Sequence, residues 1–480
     1  MAGPWTFTFL CGLLAATLAR ATLNPPAVLD IGTEIIRDKL TQELEDSNAI
    51  AILQQLPLHS TIMEKTSRVL GSLIQAALKN IMWLKVTSAS ILQLQVQASA
   101  STQELVVKIP ISLVAGFKTP LISTIVQLHL ETEAQATIGL QTDASGSTQL
   151  VLSGCSTSSE SLSITLLQRV SFLISSLANT VTKLLVPALP TLVESELCPV
   201  IEQAFNDMYA DLLEVIRVPV SLGSDSLEFD VLSPAIEDDF VQFNLEASLL
   251  DSNGTAIEWF NNSEASLTIP SPESTSFSLV VRQDVVKAAV VALLPTEELV
   301  VLLDYELPEL AGQLKAIIEV ISEEAAEQLE PTRTVKIVTQ NSPKLLLSQG
   351  SATVAQQIVL DLYPTNETHR AFFTLGIEAS SEAQFYTKDD RLLLNLNDIS
   401  SDQIYLMNWA IERFQPEILS NITTEILASV LLPSQNDKLS SGIQVLLVKA
   451  LGFEAASCSL TDDSLVITPA SSEQGSPLSR

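Results

Sequence analysis

The chain has 480 residues, 46% of them hydrophobic, which is enough apolar material for two ordinary domain cores and excludes a disordered chain. Its 56 acidic and 25 basic residues give a formal net charge of −31, a field that opposes nucleic acid and anionic membranes in general. With only three histidines and four cysteines, little of the chain is suited to histidine catalysis or metal binding.

The first residues carry an apolar run, Phe7 to Leu18, followed by Ala19-Arg20-Ala21 with small residues at the two positions that signal peptidase reads. Residues 1–21 are therefore read as a secretory signal peptide, because the run is too short to span roughly 30 Å of hydrocarbon as an anchor. The mature chain is expected to be extracellular and not membrane-spanning, with a net charge of −32.

Between Lys65 and Leu130 lies a local excess of five positive charges, from Lys65, Arg68, Lys79, Lys85, Lys108 and Lys118 against Glu104. It reads either as a solvated face or as a contact for lipid phosphates, with Lys79, Lys85, Lys108 and Lys118 as the headgroup candidates. Within it Ile91 to Gln97 alternates apolar and polar, the period of a half-buried strand, and Val126 to Leu140 repeats that period. A helical stretch is predicted from Ile164 to Ile216. Leu166, Val170, Leu173, Leu177, Val181 and Leu184 form one stripe there, and Pro187 and Pro190 interrupt or kink the rod.

Residues 218–272 are rich in Ser, Asp, Asn and Pro but keep strand-like pieces at Leu227 to Leu232 and Val241 to Leu245, so they read as a structured connector. With the boundary near Pro234, this divides the chain into 22–234 and 235–469, before a Ser/Pro-rich tail over 470–480. The second half repeats the first: strand-like Ala379 to Asn397 leads to a predicted helix from Gln403 to Leu432, with Ile404, Met407, Ile411, Phe414, Ile418, Ile422 and Ile426 as its stripe. Glu133-Ala134-Gln135 recurs as Glu382-Ala383-Gln384, and the shared element order over some 200 residues means tandem α+β domains. Both stripes read as core; the alternative, a ligand pocket, points to Val170, Leu173, Leu177 and Val181 in the first half and Ile411, Phe414 and Ile418 in the second.

Acceptor patterns for N-linked sugars stand at Asn253, Asn261, Asn366 and Asn421, all in the second half. The halves also differ in charge, −10 for 22–235 and −22 for 236–480. Of the cysteines outside the leader, Cys155 follows a strand and Cys198 lies in the predicted helix. A bridge between them would pin helix to sheet, and Cys458 is read as a buried small hydrophobe or an intermolecular partner.

The stretches Gln103 to Leu121, Leu197 to Leu212, Ser381 to Asn408 and Val448 to Ala455 resemble the bactericidal/permeability-increasing (BPI/LBP/PLUNC) family, and more closely its long PLUNC branch. The resemblance runs from the leader to about Pro469. It implies a BPI-like boomerang of two similar antiparallel β-barrel domains, each with long helices, joined by a central sheet. Apolar pockets for lipid acyl chains and a single disulfide, mapping onto Cys155 and Cys198, come with it. It also implies binding of lipopolysaccharide or phospholipid, contact with a bacterial surface, and a place in mucosal innate immunity. The acidic balance departs from the strongly cationic bactericidal members and puts direct killing by charge in doubt.

No nucleophile elbow, zinc-helix motif, Cys-x-x-Cys pair, dinucleotide fingerprint or phosphate loop occurs, and His59, His129 and His369 stand apart. The expectation is a non-enzymatic lipid binder without cofactor or metal. Its alternatives are an extracellular lipid carrier without an immune ligand and a surface-active structural component of airway secretions.

Overall fold

The computed structural model describes residues 23–69, 81–118, 125–144, 146–157, 161–168, 171–328, 333–364, 371–409 and 414–470. The leader, Lys79, Val170, Asn366, His369, Ile411 and the 471–480 tail lie outside these residues.

In the first half, β1 (Ala27–Gly32) leads into α1 (Thr33–Asp46), α2 (Ala49–Gln54) and α3 (Leu58–Val69). Then come β2 (Trp83–Ile91), β3 (Gln95–Ser99), β4 (Glu104–Lys118), β5 (Val126–Thr142), β6 (Thr148–Thr157), β7 (Ser163–Leu166) and the 45-residue helix α4 (Phe172–Ile216). Strands β2, β4, β5 and β6 form one antiparallel sheet, with β3 and β7 on its flanks. The alternation read over Val126 to Leu140 is real: Val126, Leu128, Leu130, Ala136 and Ile138 are buried while Glu131 and Gln135 face water. The sheet is open along its hydrogen-bonded path, a half-barrel, and α4 packs against its concave side.

A middle sheet follows. It is made of β8 (Val220–Leu222), β9 (Asp225–Ile236), β10 (Phe240–Leu250), β11 (Ala256–Phe260), β12 (Phe277–Arg282), the N-terminal β1, and two strands from the far end of the chain, β19 (Ala456–Leu460) and β20 (Ser464–Pro469). Its order is β19-β20-β12-β1-β10-β9-β8, with β11 on β10. Pro234 is paired with Phe243 inside it. Gly32 allows the close crossing of the 270s segment over β1, since a Cβ there would lie 2.1 Å from the Ser274 carbonyl oxygen.

The second half runs α5 (Gln283–Leu293), β13 (Glu298–Leu302), α6 (Leu303–Glu306), α7 (Pro308–Ile321), α8 (Glu323–Gln328), β14 (Arg333–Ser348), β15 (Ser351–Pro364), β16 (Phe373–Lys388) and β17 (Arg391–Trp409). A helical stretch over 416–439 contains α9 (Ser420–Ile426) and α10 (Leu432–Leu439), and β18 (Ile443–Gln444) and α11 (Leu446–Ala450) lead into the closing pair β19 and β20. The sheet β13 to β18 is again open and antiparallel. One core spans the first half, the middle sheet and the near part of this sheet; a second core sits at its far end around Phe373, Leu419 and Leu427.

Four details differ from the sequence reading. The predicted helix from Ile164 starts only at Phe172, because Ser163 to Leu166 pair with β5. The predicted helix from Gln403 is strand as far as Trp409: Ile404 pairs with Ile377 and Leu406 with Leu375, and Tyr405, Met407 and Trp409 point outward. There a three-four spacing of apolar residues coincides with a two-residue alternation, and pairing with β16 decides for the latter. Ile91 to Gln97 is broken between β2 and β3, leaving Leu92 exposed and Leu94 buried. Pro187, Pro190 and Pro199 lie inside one continuous helix rather than ending it.

Candidate lipid-binding cavities

Cys155 on β6 and Cys198 on α4 are joined as a disulfide with their Cα atoms 5.8 Å apart. Beside it the Thr157 hydroxyl donates to the Pro190 carbonyl oxygen at 2.6 Å, a second tie between sheet and helix. These ties fix the shaft of α4. The features that could hold a ligand lie at its other end.

The helix stops at Ile216, where the Arg217 N–H bonds back to the Leu213 carbonyl and the Val218 N–H to the Val215 carbonyl, the Arg217 side chain meets Asp230 at 2.7 Å, and Pro219 prevents another turn. No helical turn continues beyond this point to fill the space over the middle sheet. A cavity of about 610 Å³ opens on one side, walled by Leu29, Leu245, Ala289, Leu394 and Leu447. A second of about 480 Å³ opens on the other, between α1, α4 and β10, walled by Ile31, Ile35, Leu212 and Phe243. Val215 and Val218 belong to both walls. The alternation of β1 serves both spaces, with Leu29 in the larger and Ile31 in the smaller.

Asp30, between them in sequence, points to the opposite face of the sheet and is fully buried. Its Oδ1 accepts from Gln242 Nε2 at 3.0 Å, whereas Oδ2 and the hydroxyl of Ser278, directly across on β12, have no partner. Burial pushes its carboxyl up to about 7, the Gln242 bond holding it down somewhat and the charge of Glu237 adding to the rise.

The mouths of the cavities differ in charge. The larger carries Arg391, exposed and donating to the Ser441 carbonyl oxygen at 2.7 Å, with Ser221 and Gln444. The smaller carries Glu43, Asp211 and Glu214 with one lysine, Lys39. Desolvation and the neighbouring charges of Asp211, Asp46 and Asp207 raise the Glu43 carboxyl, and Lys39 opposes the rise.

Among the described residues, none of the predicted stripes walls either cavity. Val181 is buried and Leu177 half-buried in the first core; Leu173 lies in the first turn of α4. Phe414 packs on Phe373 in the second core, their rings 5.8 Å apart, and Ile418 is exposed. Of the basic candidates, Lys85 sits opposite Gly116 and Lys118 opposite Trp83, both exposed at one end of the first sheet. Lys108 is half-buried, ten positions up β4 from Lys118, roughly 33 Å away at ~3.3 Å per residue. Asn253, Asn261 and Asn421 are exposed. His59 Nε2 meets the Ile81 carbonyl at 3.2 Å and His129 Nε2 meets Glu131 at 3.1 Å. No group of three metal-ligating side chains occurs among the described residues.

Comparison with known proteins places this geometry in context. The N-terminal domain of the LBP / BPI / CETP family matches residues 43–208 and its C-terminal domain matches residues 307–469. The chain is 61% identical to BPI fold-containing family B member 1 of Homo sapiens over 98% of both chains, and 50% identical to that of Mus musculus over 98% of this chain and 100% of the other. The crystal structure of lipopolysaccharide binding protein superposes with a TM-score of 0.51 over 93% of this chain and 99% of that one, at 12% identity.

Proposed function

The chain belongs to the LBP / BPI / CETP family, and on that premise we propose that it is a secreted, non-enzymatic lipid-binding protein of mucosal innate defence. Its task in this reading is to take up acyl chains of lipopolysaccharide or phospholipid and modulate responses to them. The observation that carries the reading is the pair of apolar cavities abutting at Val215 and Val218, each within the ~300–1,000 Å³ that single ligands fill. Each methylene moved from water into such a space contributes roughly 0.8 kcal/mol, so an acyl chain is a sufficient ligand without any catalytic group.

Lipopolysaccharide phosphates, in this reading, meet Lys85 and Lys118 rather than the more acidic second half. Lys79 lies outside the described residues, and Lys108 stands well beyond a Debye length of roughly 8 Å from that pair. Exposed Asn253, Asn261 and Asn421 would carry sugars on the second half of the chain.

Lipid-free refolded protein should bind a neutral fluorescent acyl probe saturably, at one or two per chain. Mass spectrometry of lipid co-purifying from the native secretion would identify the headgroup. Absence of saturable probe binding by folded protein would sink the reading.

A further inference from the structure

The smaller cavity combines two features that an acyl chain alone does not require. Its mouth, formed by α1 and the last turns of α4, bears Glu43, Asp211 and Glu214 against Lys39, an excess of two negative charges, and Asp46 and Asp207 act on Glu43 from just outside. Its wall contains a run of three aromatic rings. Phe205 stacks on Tyr209 at 6.0 Å and Tyr209 on Phe243 at 6.5 Å between centroids. Carboxylates favour a cation through charge, and ring faces favour one through their quadrupole, most effectively where water is excluded. A phosphate or carboxylate head brought to the same mouth meets repulsion from three acids and attraction from a single lysine.

We propose that the smaller cavity is selective for a single-chain amphiphile with a cationic, phosphate-free ammonium head, its alkyl chain lying over Ile35 and Leu212 and its head at the Glu43–Asp211–Glu214 mouth. The volume of about 480 Å³ suits one ligand of this kind. The larger cavity, with Arg391 at its mouth and no carboxylate among the described residues of its wall, does not share this preference. The two cavities would then sort lipids by head charge while treating their tails alike. The inference rests on the reading that the cavities hold acyl or alkyl chains.

The test displaces a neutral fluorescent acyl probe from the full chain with three amphiphiles of equal tail length, each below its micelle concentration: hexadecyltrimethylammonium, hexadecylphosphocholine and hexadecyl sulfate. Wild type should prefer the trimethylammonium over the sulfate by ~tenfold or more, with the phosphocholine between them. The triple variant Glu43→Gln, Asp211→Asn, Glu214→Gln changes only partly or fully exposed side chains, and should shrink that ratio to ~threefold or less, each displacement being referred to the variant's own probe affinity. A wild-type ratio near one, or a ratio unchanged in the triple variant, overturns the assignment. Phosphocholine binding as tightly as the trimethylammonium overturns its phosphate-free part. Failure of the probe itself to bind removes the underlying lipid-binding reading and this inference with it, a result distinct from loss of selectivity.

Discussion

Replacing Asp30 with asparagine isolates one buried ionisable group in the middle sheet. In the unfolded chain this carboxyl ionises near 3.8; in the fold, burial moves it to about 7. Between those values the folded protein keeps a proton that the unfolded chain has released. The stabilising contribution is therefore complete below the unfolded value, declines as pH rises, and is gone above the folded value. A displacement of about three pH units at ~1.36 kcal/mol each makes the span ~4 kcal/mol. The asparagine side chain keeps an oxygen for Gln242 Nε2 and has no charge to desolvate, though its amide N–H groups near Ser278 cost ~1–2 kcal/mol if unpaired. That offset does not depend on pH. Urea unfolding of wild type and Asp30→Asn at pH 4, 5.5, 7 and 8 should therefore show the variant gaining ~4 kcal/mol on wild type from the lowest to the highest pH. Taking the difference removes the general effect of the net charge. A variant-minus-wild-type difference constant across pH would refute the claim that Asp30 is held protonated by burial.

Three further expectations follow from the geometry. The pair Lys85→Gln and Lys118→Gln should weaken lipopolysaccharide binding and flatten its salt dependence, while Lys108→Gln alone should do neither; equal effects in a binding titration at low and high salt would count against a single phosphate-binding end. Removing the Cys155–Cys198 bridge by a double alanine substitution opens a 43-residue loop and should cost ~3–4 kcal/mol in non-reducing urea unfolding, with a loss below ~1 kcal/mol speaking against that tie. Ala289→Trp fills part of the 610 Å³ cavity and should lower the acyl-probe stoichiometry by one with the far-ultraviolet circular dichroism preserved; unchanged stoichiometry would show that the chain binds elsewhere.

Much of the fold is legible in local pattern because the residues concerned obey one constraint at a time. On β5 the alternation is enforced by a concave face that is dry and a convex face that is wet. The repeated Glu-Ala-Gln tripeptide marks equivalent interior positions: Ala134 and Ala383 are both buried, each flanked by outward-facing polar side chains. The 403–409 segment misleads because Ile404 and Met407 satisfy a helical spacing by chance, while pairing with the 16 residues of β16 supplies the tertiary contacts that local pattern does not contain. The prolines of α4 mislead in the other direction. A strongly apolar helix packed against a sheet and pinned by Cys155 and Thr157 retains its course despite three missing N–H donors.

The cavities are the least legible feature, and the reason is geometric. A stripe such as Leu177 to Val181 announces that a surface will be dry but not whether another side chain or a void will face it. Here sheet and helices close over the shaft of α4, so the conspicuous stripe becomes ordinary core. The two cavities lie instead along the last turns of α4 and just past Ile216, where the helix ends against the middle sheet. The larger wall is then assembled from Leu29, Leu245, Ala289, Leu394 and Leu447, drawn from segments far apart in the chain with no common period. What sequence does provide there is the stop itself, Arg217-Val218-Pro219 after a long apolar helix. In a repeated α+β chain, the point where such a helix ends against the shared sheet is where unfilled apolar space, and hence a lipid site, is to be sought.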